Sequence, residues 1–424
     1  MRVLIQKPRE NIKTKIHYTI SQSIVNIQEA PMYRFIWVFV TASTIAVPNL
    51  HPDTGLNIIQ LATKYGYPIE SHDVETDDGY ILTLHRIPHG IKSVSTMKYP
   101  VLLMHGLLSS SVDWVNMGPE NALGLLLADC GYDVWLGNQR GNTWSRKHLT
   151  LNPDIDAEKF FDFSFHEIGI YDIPAKIDYI INATNKEQIF YVGHSQGTTS
   201  FFVMASEKPE YNAKIRLMTA LSPVAHVANV PNPFLAPLVD NYDLVKTVVP
   251  ILKIHEVLPH FDYFTDLGNV LCSKGSPYQD SCVWFINAIV GFDWQIDPDF
   301  VSVITSNTPA GCSIKQLMHF IQGAESGYFA QYDYGVEVNK IQYGQEMPPL
   351  YDITKITARV SLYYAGNDWL NAVEDVLRLA EELPNLASAK QVRYSQFNHL
   401  DFLWARNVVD LLYNDVIAEI TAES

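Results

Sequence analysis

Six short apolar runs punctuate this chain: Pro100–Met104, Tyr132–Leu136, Ile189–Val192, Arg216–Leu221, Val360–Tyr364 and Val392–Ser395. Segments with helical spacing separate them: 121–130, 170–181 (Ile173, Ile177, Ile180, Ile181), one from about Thr198, 371–382, and a last one after Asp401. A continuous apolar run has no polar face to give to water. Runs of this kind alternating with helices predict a parallel β-sheet covered by helices on both faces. Ahead of them, 57–66 reads as a short helix and 69–87 as a hairpin turning at Asp78-Gly79. The rhythm stops near Ala225 and resumes at Val360. Residues 226–350 are rich in proline and aromatics and show no strand cadence, so they read as an insertion. With 424 residues the chain exceeds the roughly 250–300 that one compact core organises, which agrees with a sheet domain carrying an insert.

Charge excludes one broad class. The net charge is −16, and six of the 30 basic side chains but only two of the 46 acidic ones precede Pro48. The remainder therefore carries −20, which disfavours a nucleic-acid partner because phosphate binding wants a basic face. It also repels anionic bilayers, so contact with lipid has to be apolar or made at low pH.

The first 47 residues look unlike the rest. Phe35 to Val47 is apolar, follows Met32 and Arg34, and is too short for a hydrocarbon core of about 30 Å. Residues 32–47 resemble a secretory signal with a candidate cleavage point near Ala46. Residues 1–31 then read as an upstream extension absent from the mature protein, translation starting at Met32. An uncleaved anchor and a buried apolar segment are the alternatives. Of four cysteines, Cys272 and Cys282 flank a polar, turn-rich loop and pair if the chain is secreted. Asn182-Ala183-Thr184 is a glycosylation sequon.

The chemistry centres on Gly193-His194-Ser195-Gln196-Gly197. A GxSxG sequence between an apolar run and a helix is the signature of a sharp strand-to-helix turn that presents a serine above a sheet. A serine hydroxyl is a weak nucleophile and needs a base and an orienting acid. Asp368 follows the run ending at Tyr364, and His399 follows the run ending at Ser395; they are the expected partners. Asp401 reads as a helix cap. The turn Met104-His105-Gly106-Leu107-Leu108 is placed to give a second oxyanion donor, so the Leu107 and Gln196 N–H groups are expected to bind the developing charge. His255-Glu256-Val257-Leu258-Pro259-His260 imitates a zinc motif but has one residue too many and a proline. No Cys/His zinc spacing occurs, and neither a metal nor an organic cofactor is expected. His166-Glu167 and Trp114, Trp135 and Trp144 are given structural roles.

These motifs carry a resemblance. His105-Gly106-Leu107-Leu108, Asp133-Val134-Trp135-Leu136-Gly137-Asn138, Arg140-Gly141-Asn142, Ser145-Arg146 and Gly193 to Thr199 resemble the acid lipases, the gastric and lysosomal lipases of animals and their insect relatives. So do Pro309-Ala310-Gly311, Gly366-Asn367-Asp368 and Asn398-His399-Leu400-Asp401-Phe402. The resemblance runs from about Asp53 to the C-terminus. It implies an α/β-hydrolase core over 48–225 and 351–424, and a cap with a movable lid over 226–350. It implies Ser195, Asp368 and His399 as catalytic triad, Leu107 and Gln196 as oxyanion donors, and Cys272–Cys282 as the cap disulfide. The implied activity is hydrolysis of neutral-lipid esters (triacylglycerols, sterol esters) at an oil–water or membrane surface. A silent lipid carrier and an esterase for small soluble esters are the alternatives. A single sequon favours a secreted protein over a lysosomal one.

Overall fold

The computed structural model describes residues 50–92, 99–259, 268 and 270–424. The extension 1–31, the signal-like segment 32–47 and His260 lie outside the described residues. The sheet expected from the apolar runs is present. Its strands are β1 (Glu70–Glu75), β2 (Tyr80–Ile87), β3 (Pro100–Met104), β4 (Asp133–Gly137), β5 (Lys147–His148), β6 (Ile189–His194) and β7 (Ile215–Leu221). Among the described residues the insert contributes only the two-residue pair β8 (Glu256–Val257) and β9 (Cys312–Ser313), apart from the main sheet. β10 (Val360–Tyr364) and β11 (Leu386–Gln391) complete the main sheet. Its spatial order is β1-β2-β4-β3-β6-β7-β10-β11, with β5 beside β2. Pairing is parallel from β4 to β11 and antiparallel at the β1-β2-β4 end.

Alternate residues of one run enter opposite layers, as the two-residue period of a strand requires. Val101 and Leu103 join one core with Leu125, Phe402 and Val416, while Leu102 and Met104 join the other with Ile177, Phe201 and Leu379. Helices Leu123–Asp129 and Asn414–Ala422 thus cover one face, and Ile173–Thr184, Gln196–Glu207 and Val373–Glu382 the other. Trp114 and Trp135 are buried, one in each core, and Trp144 packs against the first.

One strand is displaced from its expected place. Val392–Ser395 is not a strand; the edge strand is β11, which begins six residues earlier and is half-buried in its first half and exposed in its second. It pairs on one side only and packs little apolar surface, so Leu-Ala-Ser-Ala-Lys-Gln suffices and no apolar run marks it. A further seven residues carry the chain from β11 to His399.

Strand order reverses between β3 and β6, since β4 lies on one side of β3 and β6 on the other. Open α/β sheets bind ligands at the carboxyl ends of their strands beside such a reversal. The turns after β3 and β6 hold Gly106 and Ser195 there. A Cβ added at Gly106 would lie 3.0 Å from the Cβ of Ser195.

The inserted segment 226–350 holds the helices Tyr242–Leu252, Gln279–Val290, Ile314–Ser326 and Val336–Tyr343. Cys272 and Cys282 form a disulfide that closes the loop before Gln279–Val290. That helix is apolar on two sides, as its composition indicates: Asn287, Ala288 and Val290 face inward, while Trp284 and Phe285 stand in solvent. Among the described residues no helix is long and apolar enough to cross a membrane.

Candidate active site

Ser195 joins β6 to the helix Gln196–Glu207 with φ 52° and ψ −122°. A non-glycine residue rarely adopts that backbone, and its neighbours explain how it is held. The Ser195 N–H donates to Leu221 O at 3.1 Å. A Cβ at Gly193 would lie 2.8 Å from the carbonyl carbon of Gly197; one at Gly197 would lie 2.8 Å from that of Met104 and 2.9 Å from His105 O. The two glycines of the motif are therefore required by backbone-to-backbone contact. Gly197→Ala is expected to cost about 3 kcal/mol, because rigid main chain has to move; a melting temperature unchanged from the parent would contradict this.

The structure brings the three residues picked from the sequence together. His399 Nε2 lies 2.8 Å from Ser195 Oγ, and His399 Nδ1 lies 3.0 and 2.9 Å from the two carboxylate oxygens of Asp368. An ionised carboxylate only accepts, so the imidazole proton sits on Nδ1 and the Nε2 lone pair faces the serine hydroxyl. Asp368 and His399 are buried, and Ser195 is half-buried. His194 supports the site from beneath. Its Nε2–H donates to His399 O at 2.9 Å, and burial, followed by the neighbouring His399, holds its ring far below the usual histidine range. It stays neutral and fixes the backbone that carries His399.

Known proteins point the same way. A family model described as a partial alpha/beta-hydrolase lipase region matches residues 58–118, and one described as alpha/beta hydrolase fold matches 99–245. Lipase 3 of Drosophila melanogaster is 43% identical over 357 residues, covering 84% of this chain and 90% of that protein. Human gastric triacylglycerol lipase is 38% identical over 408 residues, covering 92% of this chain and all of that one. Human lysosomal acid lipase/cholesteryl ester hydrolase is 38% identical over 372 residues, covering 86% and 91%. The chain belongs to the acid-lipase family.

In this acid lipase the turn after β3 is fixed from several sides. The His105 Nδ1–H donates to Gly106 O at 2.7 Å, and its Nε2 accepts the Gln139 N–H and a side-chain N–H of Asn142, both at 3.1 Å. Burial pushes the ring down to about 3, so the acceptor persists in acid. The Gln139 side chain donates to His105 O at 2.8 Å and accepts from Gln196. Leu107, half-buried, and Gln196, buried, thus sit on linked turns on either side of Ser195. Gln196 opens its helix, so its N–H is one of the first-turn donors that an α-helix leaves without a partner inside it.

The insert reaches the site at two places. Ala310 N–H donates to Leu108 O at 2.7 Å, and Thr143 N–H donates to Ala310 O at 2.9 Å, so Pro309-Ala310-Gly311 braces the turn after β3. The second contact grips both loops behind Ser195. Asn367 donates to Phe292 O (3.0 Å), Trp369 N–H to Val290 O (3.1 Å), Asn398 to Gly291 O (2.8 Å) and Arg406 N–H to Gln295 O (2.9 Å). Gly291 is needed there, since a Cβ would collide with Asn367 O.

Asp401 is not the helix cap expected of it. One of its oxygens accepts the Asn398 N–H at 2.8 Å, before the helix rather than within its first turn. The other is buried, and the carboxyl of Asp293 in the insert is the charged group that acts on it most. Burial first, then Asp293, drives the Asp401 carboxyl far above the ordinary range, so this pair holds a proton. Sequence reasoning missed Asp293, which carries no motif. It also missed Ser222, whose hydroxyl touches Asp368; its place straight after the run Arg216–Leu221 was the available signal. Glu256 of the zinc-like sequence is held by Arg146 at 3.0 and 2.8 Å. His166 binds the Tyr351 hydroxyl at 2.8 Å, and Glu167 closes a capping box with Ser164.

Proposed function

We propose that this protein is a serine lipase that hydrolyses carboxylic esters of neutral lipids, triacylglycerols and sterol esters among them. The observation that carries the reading is the unbroken line from Ser195 Oγ through His399 to Asp368. His399 takes the Ser195 proton as Oγ attacks the ester carbonyl, and Asp368 holds the imidazolium that results. The Leu107 and Gln196 N–H groups receive the oxyanion, with the positive end of the helix Gln196–Glu207 behind them. The leaving alcohol takes the proton from His399. Water activated by the same imidazole then cleaves the acyl-Ser195 ester. The names of the human relatives, a triacylglycerol lipase and a cholesteryl ester hydrolase, support this substrate class.

A lipid surface is the proposed meeting place. Leu244, Val248, Ile251 and Leu252 line one side of the helix Tyr242–Leu252, and Ile251 is 73% exposed. Trp294, 83% exposed, and Trp284 and Phe285 add aromatic surface on the same insert. So much apolar area on a chain of net charge −16 suits insertion among acyl chains and not attraction to lipid head groups. Residues 226–350 serve as the cap in this reading, and the poorly buried part around Tyr242–Leu252 as its lid. Residues 32–47 direct secretion, the oxidising environment suits Cys272–Cys282, and Asn182, exposed in the last turn of Ile173–Thr184, is glycosylated.

The test is fatty-acid release from emulsified triolein and cholesteryl oleate between pH 4 and 9, by the full chain and by Ser195→Ala. Release that disappears in the variant is expected. Release that survives it, or a folded parent that releases nothing from either lipid, rejects the reading.

A further inference from the structure

Ser222 directly follows β7 at its carboxyl edge with φ 51°, the left-handed region that suits glycine. Its N–H donates to Tyr363 O at 2.9 Å, and its side chain is fully buried. The hydroxyl donates to Asp368 Oδ2 at 2.7 Å. The same oxygen lies 3.0 Å from His399 Nδ1 and accepts a side-chain N–H of Asn371 at 3.3 Å. Asp368 has no lysine or arginine partner among the described residues; its ion-pair partner is His399. Its other oxygen accepts the Leu370 N–H at 2.9 Å. A carboxylate buried with so few cations around it depends on hydrogen-bond donors for both its charge and its orientation.

The backbone at 222 would be relaxed with glycine, yet the sequence places a hydroxyl there against that preference. We infer that Ser222 is a positioning residue of the catalytic site: its hydroxyl fixes the Asp368 carboxylate and offers the His399 Nδ1–H a second acceptor. This rests on the serine-hydrolase reading above. As Ser195 attacks, its proton moves to His399 Nε2 and the ring becomes a cation whose Nδ1–H is shared between Asp368 and Ser222. Ser222 itself gives up no proton. Its effect belongs to the charged state of the ring, so it acts on turnover and not on substrate binding.

The test compares Ser222→Gly and Ser222→Ala in the full chain with the parent and Ser195→Ala. A soluble ester, p-nitrophenyl butyrate, keeps interfacial adsorption out of the measurement, and melting temperature is recorded in parallel. A hydrogen bond to a charged group that strengthens in the transition state predicts a fall in kcat of about 10- to 100-fold with KM unchanged. Ser222→Gly relieves the backbone but removes a donor from a buried carboxylate, two effects that oppose each other, so its melting temperature serves to establish folding. Ser222→Ala keeps the Cβ packing and reads the hydroxyl alone if the glycine variant fails to fold. A kcat within about twofold of the parent in the folded variants overturns the inference, as does a rise in KM at constant kcat. Unfolding of both variants makes Ser222 a structural residue and overturns it too. Activity that survives in Ser195→Ala rejects the serine-hydrolase reading itself. Activity lost there but kept in both Ser222 variants rejects only the role of Ser222.

Discussion

His399→Ala will lower kcat on emulsified triacylglycerol by about a million-fold, and Asp368→Asn by about ten-thousand-fold. The first change removes the only base within reach of Ser195 Oγ among the described residues. His194, the nearest other imidazole, has its Nε2 committed to His399 O. The second leaves a group of the same shape in place but presents an amide N–H where a carboxylate oxygen now accepts from Nδ1. The ring then keeps its proton on Nε2, the tautomer that cannot take one from serine. The two variants should also fail to add. A protein lacking both Ser195 and His399 should be no slower than either single variant, because the residues act as one unit. Initial rates of fatty-acid release, with thermal melts to establish folding, make the measurement. Residual activity above about 1% in His399→Ala would mean that another group serves as base.

The contribution of the Asp293–Asp401 pair to stability will fall as pH rises above the ordinary carboxylate range of about 4, and Asp401→Asn will remove that fall. The reason is the proton held between Asp293 and Asp401. Burial and the neighbouring carboxyl raise the Asp401 pKa, so the folded chain keeps a proton that the unfolded chain releases. Stability from such a group is complete below the unfolded pKa and is lost as pH climbs toward the folded one. The loss amounts to about 1.4 kcal/mol per pH unit while one extra proton is bound. The charged neighbours are Asp368, which opposes ionisation of Asp401, and Arg406, which favours ionisation of Asp293. Asparagine at 401 keeps an acceptor for the Asn398 N–H and gives Asp293 a permanent donor. It should therefore melt above the parent at pH 8 and no higher than the parent at pH 4. Parallel curves of melting temperature against pH for the two proteins would remove the pair as the cause.

The legible parts of this chain are those where burial dictates composition. Strands β3, β4, β6, β7 and β10 are covered on both faces and read as apolar runs, so both the sheet and the carboxyl ends where Ser195 and Asp368 stand could be placed from residues alone. β11 was misplaced because an edge strand is under no such demand. Its half-buried Ser388 and exposed Lys390 and Gln391 look like loop, and the apolar Val392 and Tyr394 beyond it look like strand. His399 is reached all the same, because the run ending at Ser395 still lies just before it and because the stretch Asn398 to Phe402 resembles the acid lipases independently of any strand. What stayed hidden is contact across sequence distance. Ser222 meets Asp368 from 146 residues away, and Asp293 meets Asp401 from the insert, and neither pairing leaves a periodicity or a spacing to read.

The segment 290–296, which ties the insert to the loops of Asp368 and His399, bears on how such proteins diversify. Through Gly291 and Phe292 the insert accepts from the side chains of Asn398 and Asn367, and through Gln295 from the Arg406 N–H, in the loops that carry Asp368 and His399. It is therefore anchored at that end, while the side bearing Tyr242–Leu252 has no buried residue on its helix. Variation in that helix can change which surface the protein settles on without disturbing its reactive groups. An exchange of the whole insert with a relative would sever the anchorage. A graft confined to Tyr242–Leu252 leaves that anchorage whole, whereas one that crosses Gly291 has to rebuild it.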